Sequence, residues 1–352
     1  MARSYPHLAD LKFLETNRMK TACFNITRRF ALRQVAAVSA ALLLGAAASP
    51  ALAQAWPAKP VRIVVPFAPG GSTDVIARMV AQKLTTLWGQ TVVVENRAGA
   101  GGNVGADVVA KAPADGYTLL MASGSITINP HLYKNMPFDT KKDLVPISNV
   151  ASGPMLVVVP DGSPAKTLKD LVAMAKAKPG ALNFGSAGVG SQVHLAAENF
   201  ADAAGIDISH VPYKGEALAF TDLIGSQTQF MVGNFAAASA LLGKSRLRAL
   251  AVTGKQRQPQ LPDVPTAIEA GLPGFENYGW FGLLAPAGTP ADIVAKVQRD
   301  TAKVLAETET KARLYVQGMT ALASTPAEFG QQMDAELVRW GTVVKNRKLS
   351  PQ

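Results

Sequence analysis

The sequence predicts an α/β protein of two lobes, each built on a mostly parallel sheet, and three observations predict it. Short β-branched runs alternate with amphipathic helical stretches along nearly the whole chain, the order that builds parallel sheets through helical crossovers. The alternation falls into two sets, residues 61–121 and 155–252, and a strand with three helical stretches follows them. Residues 54–352 are enough chain for two domains of ordinary size. The expected division is a leader at 1–53, a first lobe from 54–155 plus 276–352, and a second lobe at 156–275.

The elements follow from local pattern. Residues 61–66 (VRIVVP) read as the first strand, and 74–87 as a helix with Val75, Ile76, Met79, Val80 and Leu84 at helical spacing. Val92-Val93-Val94 is the second strand. A helix through Val104, Val108 and Val109 leads to the third at 117–121. The second set opens with a strand at 155–159. It continues through helix 167–177, strand 182–184, helix 191–204, strand 208–211, helix 216–225 and strands 230–232 and 247–252. Gly271-Leu272-Pro273-Gly274 is a turn, 280–284 a strand, and about 290–306, 309–317 and 326–346 are helical.

Composition narrows the class. Of 352 residues 48% are hydrophobic and 17% charged, which is globular rather than disordered, and a single Cys leaves no disulfide framework. The net charge is +10, but half of it lies in residues 1–53 and no basic stripe of the nucleic-acid-binding kind exists. That leader has the pattern of an export signal. Arg28-Arg29-Phe30-Ala31-Leu32-Arg33 precedes an uncharged run at 35–48, too short to span a bilayer, and Ala51-Leu52-Ala53 is an A-x-A cleavage site. A soluble periplasmic product follows. Thr27-Arg28-Arg29 resembles a twin-arginine signal with Ala31 where phenylalanine is usual, so the general secretion route fits equally. Met19 is an alternative start, and Cys23 precedes the apolar run, where no lipoprotein cysteine sits.

Sheets of this type bind ligands beyond the carboxyl ends of their strands, so the loops there are the candidate site. Pro66-Phe67-Ala68-Pro69-Gly70-Gly71-Ser72-Thr73-Asp74 joins the first strand to its helix, and Gly70-Gly71 allows a sharp turn and close ligand approach. Ser72 or Thr73 can cap that helix, whose first N–H groups attract anions; a simple capped turn would look the same. Gly185-Ser186-Ala187-Gly188-Val189-Gly190-Ser191 repeats the device in the second lobe, and Ser123-Gly124-Ser125-Ile126-Thr127 follows the third strand. Two glycine-rich helix starts, one per lobe, can clamp one anion without any arginine. Asp74 either reads a donor on the ligand or only favours the helix dipole. In the first case Asp74→Asn changes ligand choice rather than stability. His194 either touches ligand or caps and packs its helix.

Enzyme motifs are missing. No serine lies in a Gly-x-Ser-x-Gly elbow. Gly243-Lys244-Ser245 resembles the end of a P-loop, but Ala238 stands where its first glycine belongs. Gly99 to Gly105 misses the dinucleotide fingerprint by one position. His131, His194 and His210 have no metal-type spacing, so no metal and no cofactor are expected.

The same loops carry a family resemblance. Trp56-Pro57, Lys59-Pro60-Val61-Arg62, Pro66-Phe67-Ala68-Pro69-Gly70-Gly71 with Asp74, Val94-Glu95-Asn96-Arg97, Asp115-Gly116-Tyr117-Thr118 and Asn129-Pro130 with Leu132-Tyr133 match in order. Gly190-Ser191 with His194-Leu195, Val211-Pro212-Tyr213-Lys214-Gly215, Asp263-Val264-Pro265-Thr266 and Leu284-Ala285-Pro286-Ala287-Gly288-Thr289-Pro290 extend the match through the second lobe to residue 290. The chain thus resembles the Bug-type periplasmic receptors of tripartite tricarboxylate transporters.

The resemblance implies a two-lobe periplasmic binding protein of the flytrap kind, closing on a small carboxylate and delivering it to large and small membrane subunits. The carboxylate would be held by Phe67, Gly70, Gly71, Ser72, Thr73, Ser123, Gly124, Ser125, Thr127, Ser186, Gly188, Gly190 and Ser191, with Asp74 near its distal end and His194, Tyr213 and Asn234 close by. Met231-Val232-Gly233-Asn234 lacks the acidic residue often found before that asparagine, which argues against a preference for an amino group. A monomer is expected, with no nucleic-acid partner. Two alternatives stand beside the receptor: a sensory receptor for a two-component system, and a periplasmic hydrolase using Ser191 with His194. That pair lies three apart on one helical face but has no third group to orient the histidine.

Overall fold

A computed structural model describes residues 56–346 apart from Gly243 and Ser245, together with Leu349; the leader lies outside the described residues. The elements run β1 (Val61–Val65), α1 (Ser72–Trp88), β2 (Val92–Asn96), α2 (Asn103–Ala110), β3 (Thr118–Ser123), α3 (Ser125–Ile128) and β4 (Leu144–Pro160). They continue with α4 (Leu168–Ala177), β5 (Asn183–Ser186), α5 (Gln192–Ala204), β6 (Ser209–Pro212), α6 (Glu216–Ile224), β7 (Met231–Asn234), α7 (Phe235–Leu242) and β8 (Leu247–Val252). Then come β9 (Tyr278–Pro286), α8 (Ala291–Ala306), α9 (Thr308–Val316), β10 (Thr320–Ala321) and α10 (Pro326–Asn346). Single 3₁₀ turns occupy Ala100–Gly102 and Asn129–His131.

In the first lobe β2, β1 and β3 are parallel neighbours, and helices cover both faces. That explains the unbroken apolar runs: Ile63 and Val65 enter one core with Ile76, Val80 and Leu84, while Val64 enters another with Ala106 and Val109. α1 forms because those apolar residues recur at helical spacing. It ends because Gly89 takes a left-handed conformation and donates its N–H to Thr85 O.

The sheets are more mixed than the alternation suggests. β9 returns antiparallel to β3 and also pairs antiparallel with β4, whose other edge holds β10. β4 has 17 residues and serves both lobes. Through Pro154 it pairs with β9, and from Met155 it pairs with β7 and β8 instead. Only its second half was legible as a strand, because Pro146, Ser148, Asn149 and Gly153 look like a loop. The irregularities in register fall at Pro146/Ser148 and Asn149/Ala151, the kind of position where a sheet accommodates proline.

In the second lobe the end of β4 with β7 and β8 makes one sheet, and β5 and β6 form a parallel pair linked to it by the Phe184–Phe230 bridge. Phe184, Phe200 and Phe230 fill its core, each worth roughly 1.5–3 kcal/mol of burial. The crossover between lobes is pinned at Thr253, whose Oγ1 accepts from Met155 N at 2.8 Å and donates to Asn277 O at 2.5 Å. Among the described residues no helix is long and apolar enough to cross a membrane.

Candidate functional site

The lobes meet along loops at the carboxyl ends of β1, β3 and β5. Ala68 N donates to Lys214 O at 3.0 Å, and Tyr133 Oη to Val189 O at 3.0 Å. Gln192, the first residue of α5, crosses between lobes: its Oε1 accepts from Gly124 N (3.1 Å) and Trp280 N (3.3 Å), and its Nε2 donates to Asn234 Oδ1 (3.2 Å). Between these contacts lies a narrow, nearly closed cavity.

Seven of the residues expected at the site line that cavity: Phe67, Gly71, Ser72, Thr73, Ser123, Ser191 and Asn234. Ala187, Gln192, Val193 and Glu216 complete it. Ser191 caps α5 by accepting His194 N at 3.3 Å. The amides of Gln192 and Val193 have no carbonyl to reach inside their helix, so an anion in the cavity can receive them. Ser123 Oγ lies 3.1 Å from Ser125 Oγ, with Ser125 in the layer behind. Among the described residues, none lining this cavity is Lys or Arg.

The remaining expected residues are placed elsewhere. Gly70 donates its N–H to Asp74 Oδ2 (3.0 Å), which also accepts from Arg78 Nε (2.9 Å), while Asp74 Oδ1 accepts from Asn96 Nδ2 (2.9 Å). Both oxygens of Asp74 are thus committed to its own lobe. Burial alone would raise its pKa, but the bonds from Arg78, Gly70 and Asn96 outweigh that and hold it below the ordinary carboxylate range. Gly124 faces Gln192, and Thr127 Oγ1 donates to Gly124 O (2.9 Å) and Glu336 (3.3 Å) behind the cavity. Ser186 Oγ accepts Gly188 N (3.0 Å) and contacts His210 Nε2 (2.6 Å). Gly188 and Tyr213 border a separate outer depression, where Tyr213 Oη donates to Asp222 (2.7 Å).

His194 packs rather than reaching the cavity. Its Nδ1 accepts from Gly190 N (3.2 Å), and its ring stacks 4.0 Å from that of His210, which stacks in turn on Phe184. Burial first, and then the neighbouring His210, lowers its pKa to about 3; burial lowers His210 to about 4. The His194 ring nitrogens face Gly190 N and, at 3.8 Å, Glu198 rather than the Ser191 hydroxyl, which leaves the hydrolase pair considered above without its base.

Glu216 was not anticipated. It comes from the second lobe at the first turn of α6, fully buried, and its carboxylate sits on the N-terminus of α1. Oε2 accepts Ser72 N (3.3 Å), and the Ser72 hydroxyl bonds the same carboxylate. Oε1 accepts Asn234 N (2.6 Å) and Asn234 Nδ2 (3.1 Å). Burial pushes its pKa up against the opposing pull of these donors. Gly233, which precedes Asn234, lies beside this carboxylate: a Cβ there would stand 3.5 Å from Glu216 Oε1. Nothing local marked this residue, since an acid at a helix start reads as a dipole complement.

A two-lobe fold with an arginine-free, donor-lined cavity at the interlobe helix starts is that of a solute-binding protein. Comparison with known proteins agrees. Residues 76–349 match the family model of the tripartite tricarboxylate transporter family receptor. The protein BugT of Bordetella pertussis is 37% identical over 323 residues, covering 91% of this chain and 98% of its own. The solved structure of R. palustris Rpa4515 with adipate superimposes with a TM-score of 0.82 at 36% identity, covering 84% of this chain and all of that one. Periplasmic binding protein BugD gives 0.81 at 33% identity, covering 84% and 100%. The chain belongs to the tripartite tricarboxylate transporter receptor family, whose members are periplasmic solute-binding receptors and not enzymes.

Proposed function

We propose that this chain binds a small organic acid in the interlobe cavity and delivers it to the large and small membrane subunits of a tripartite tricarboxylate-type transporter. In this reading residues 1–53 are a cleaved export signal, the protein acts in the periplasm as a monomer, and the lobes divide at 155/156 and 275/276. The exchange of strand partners along β4 after Pro154 supports the first of these boundaries.

One observation carries the reading: a cradle of hydroxyls and first-turn amides without Lys or Arg among the described residues, with Thr73, Ser123 and Ser191 beside the free N–H groups of α5, enclosed by both lobes. Such donors contribute on the order of 1.5–3 kcal/mol each to an ionised acceptor, and a micromolar ligand needs about 8 kcal/mol. Four or five donors reach that after ordering costs. The adipate carried by the R. palustris relative is an acid of this size.

A thermal-shift screen of the purified protein tests it. The panel holds di- and tricarboxylates, aromatic and branched monocarboxylates, amino acids and neutral amides. Ligand at about 100 times its Kd adds roughly 2.7 kcal/mol, a shift of several degrees. Stabilisation by an acid, with no turnover of it, is the expected result. Stabilisation by neutral amides alone refutes the carboxylate cradle.

A further inference from the structure

We propose that Glu216 sets the ligand class of this receptor: it fills the α1 end of the cavity with a built-in carboxylate, so that the site takes a small acid with one carboxylate and no second anionic group. This rests on the carboxylate-receptor reading given above and narrows it.

The argument is a count of donors. A site for a diacid needs two clusters of donors, one for each end. The cavity has two helix starts, α1 from the first lobe and α5 from the second. At α1 the amide and hydroxyl of Ser72 are given to Glu216, as are the amide and side-chain nitrogen of Asn234. The Thr73 amide and hydroxyl remain at that end, in the same cavity as the Glu216 carboxylate. Ser72 Oγ is further used as the acceptor of Ala237 N at 3.1 Å, so it has little left to offer. At α5 the amides of Gln192 and Val193 have no partner within the helix, and the Ser191 hydroxyl, an acceptor toward His194, can still donate. One carboxylate therefore has a place at the α5 end, and the other end of the ligand meets an anion.

Charge sharpens the count. A ligand carboxylate about 5 Å from an ionised Glu216 is repelled, at an effective dielectric near 20, by an amount equal to roughly several hundredfold in affinity. Phe67, Ala187 and Val193 supply apolar wall for an uncharged remainder.

The test uses chain-matched pairs: butyrate with succinate, hexanoate with adipate, benzoate with terephthalate. Affinities are measured by calorimetry on the protein and on Glu216→Ser, which removes the charge and frees its four donors. The expected result is that the protein binds the monoacid of at least one pair about tenfold or more tighter than its diacid, and that Glu216→Ser narrows or inverts that ratio by a similar factor. Equal affinity for both members of every pair that binds overturns the proposal while leaving the receptor reading intact. An unchanged ratio in a folded Glu216→Ser does the same. If the variant fails to fold, the ratio in the unaltered protein decides. Failure of every acid to bind overturns the carboxylate reading and this proposal together.

Discussion

Closure of the two lobes brings backbone onto the glycine at position 101. Gly101 lies in the 3₁₀ turn before α2 at φ +59°, and a Cβ built there would stand 1.9 Å from Val189 O on the opposite lobe. Backbone cannot yield as a flexible side chain does, so Gly101→Ala forces the lobes apart by about 1.1 Å at this point merely to reach 3.0 Å. That separation breaks the Tyr133–Val189 hydrogen bond and stretches Ala68–Lys214, each about 3.0 Å now and each worth about 1 kcal/mol net. Two such losses are about 2 kcal/mol, or roughly thirtyfold in affinity, before any ligand contact is counted. The separated lobes carry only the cost of alanine in a left-handed conformation, about 1–2 kcal/mol. Calorimetric titration with the acid found by the screen, beside urea unfolding without ligand, separates the two effects. The expected result is a Kd raised thirtyfold or more with a small loss of stability. A Kd within about threefold of the original would show that the lobes do not need this contact to hold ligand, and the reasoning fails.

Other outcomes follow from the same geometry. The buried His194 and His210 are held neutral, with folded pKa values of about 3 and 4 against 6.5 unfolded, so the unfolded chain takes up protons first and stability falls as pH drops from 6.5 toward 4. Between pH 6.5 and 4.5 each ring accounts for roughly 2 kcal/mol; urea unfolding should show the loss, and His210→Phe should about halve it, since phenylalanine keeps the stack and cannot titrate while His194 still does. Glu336 Oε2 collects Trp280 Nε1 (3.0 Å), Trp340 Nε1 (3.1 Å) and Thr127 Oγ1 (3.3 Å), so Glu336→Ala should cost about 2–4 kcal/mol in chemical unfolding through two stranded indole donors, Thr127 keeping its bond to Gly124 O. Thr253→Val leaves the buried Met155 amide without its side-chain acceptor and should cost about 1–3 kcal/mol by the same measurement.

Most of the fold was legible because its elements announce themselves locally. α10 and β8 begin and end where pattern alone puts them, and α1 and α4 differ by a residue or two at their caps. What escaped was set by distant partners. The first half of β4 is a strand because β9 lies beside it, in spite of two prolines. The short helix α3 and the apolar helix α7 lack the length or the amphipathic contrast that a periodicity needs. The site divided the same way. Gly71, Ser72, Thr73, Ser123 and Ser191 were found because glycine and hydroxyl residues at strand-to-helix turns have a local reason to be there. Gln192 and Glu216 were not, because each acts through a long side chain that reaches the other lobe. Spacing along the chain holds no record of a contact 144 residues away, such as Ser72 with Glu216.

Asp74 shows how such a contact map changes an expectation. Read from the sequence, an acid at the mouth of a helix-start cradle either reads a donor on the ligand, in which case Asp74→Asn alters ligand choice without loss of stability, or only favours the helix dipole. The structure gives its oxygens to Gly70, Arg78 and Asn96, and Asn96 Nδ2 also donates to Phe67 O at 3.0 Å. Asp74 therefore holds the back of the loop whose front lines the cavity. An amide at this position presents NH₂ either to Asn96 or to Gly70 and Arg78, so a donor faces a donor whichever way it turns. One charge-assisted bond and one neutral bond are lost, about 2–4 kcal/mol. Its lowered pKa carries the matching sign. The folded protein keeps Asp74 ionised to lower pH than the unfolded chain does, so this stabilisation is present above the ordinary aspartate range and is lost as pH falls through the folded value. Asp74→Asn should lower the melting temperature by several degrees at pH 7, lose that difference in acid, and leave the ranking of ligands unchanged. A reordered ligand panel on a protein of unaltered stability would return Asp74 to the cavity.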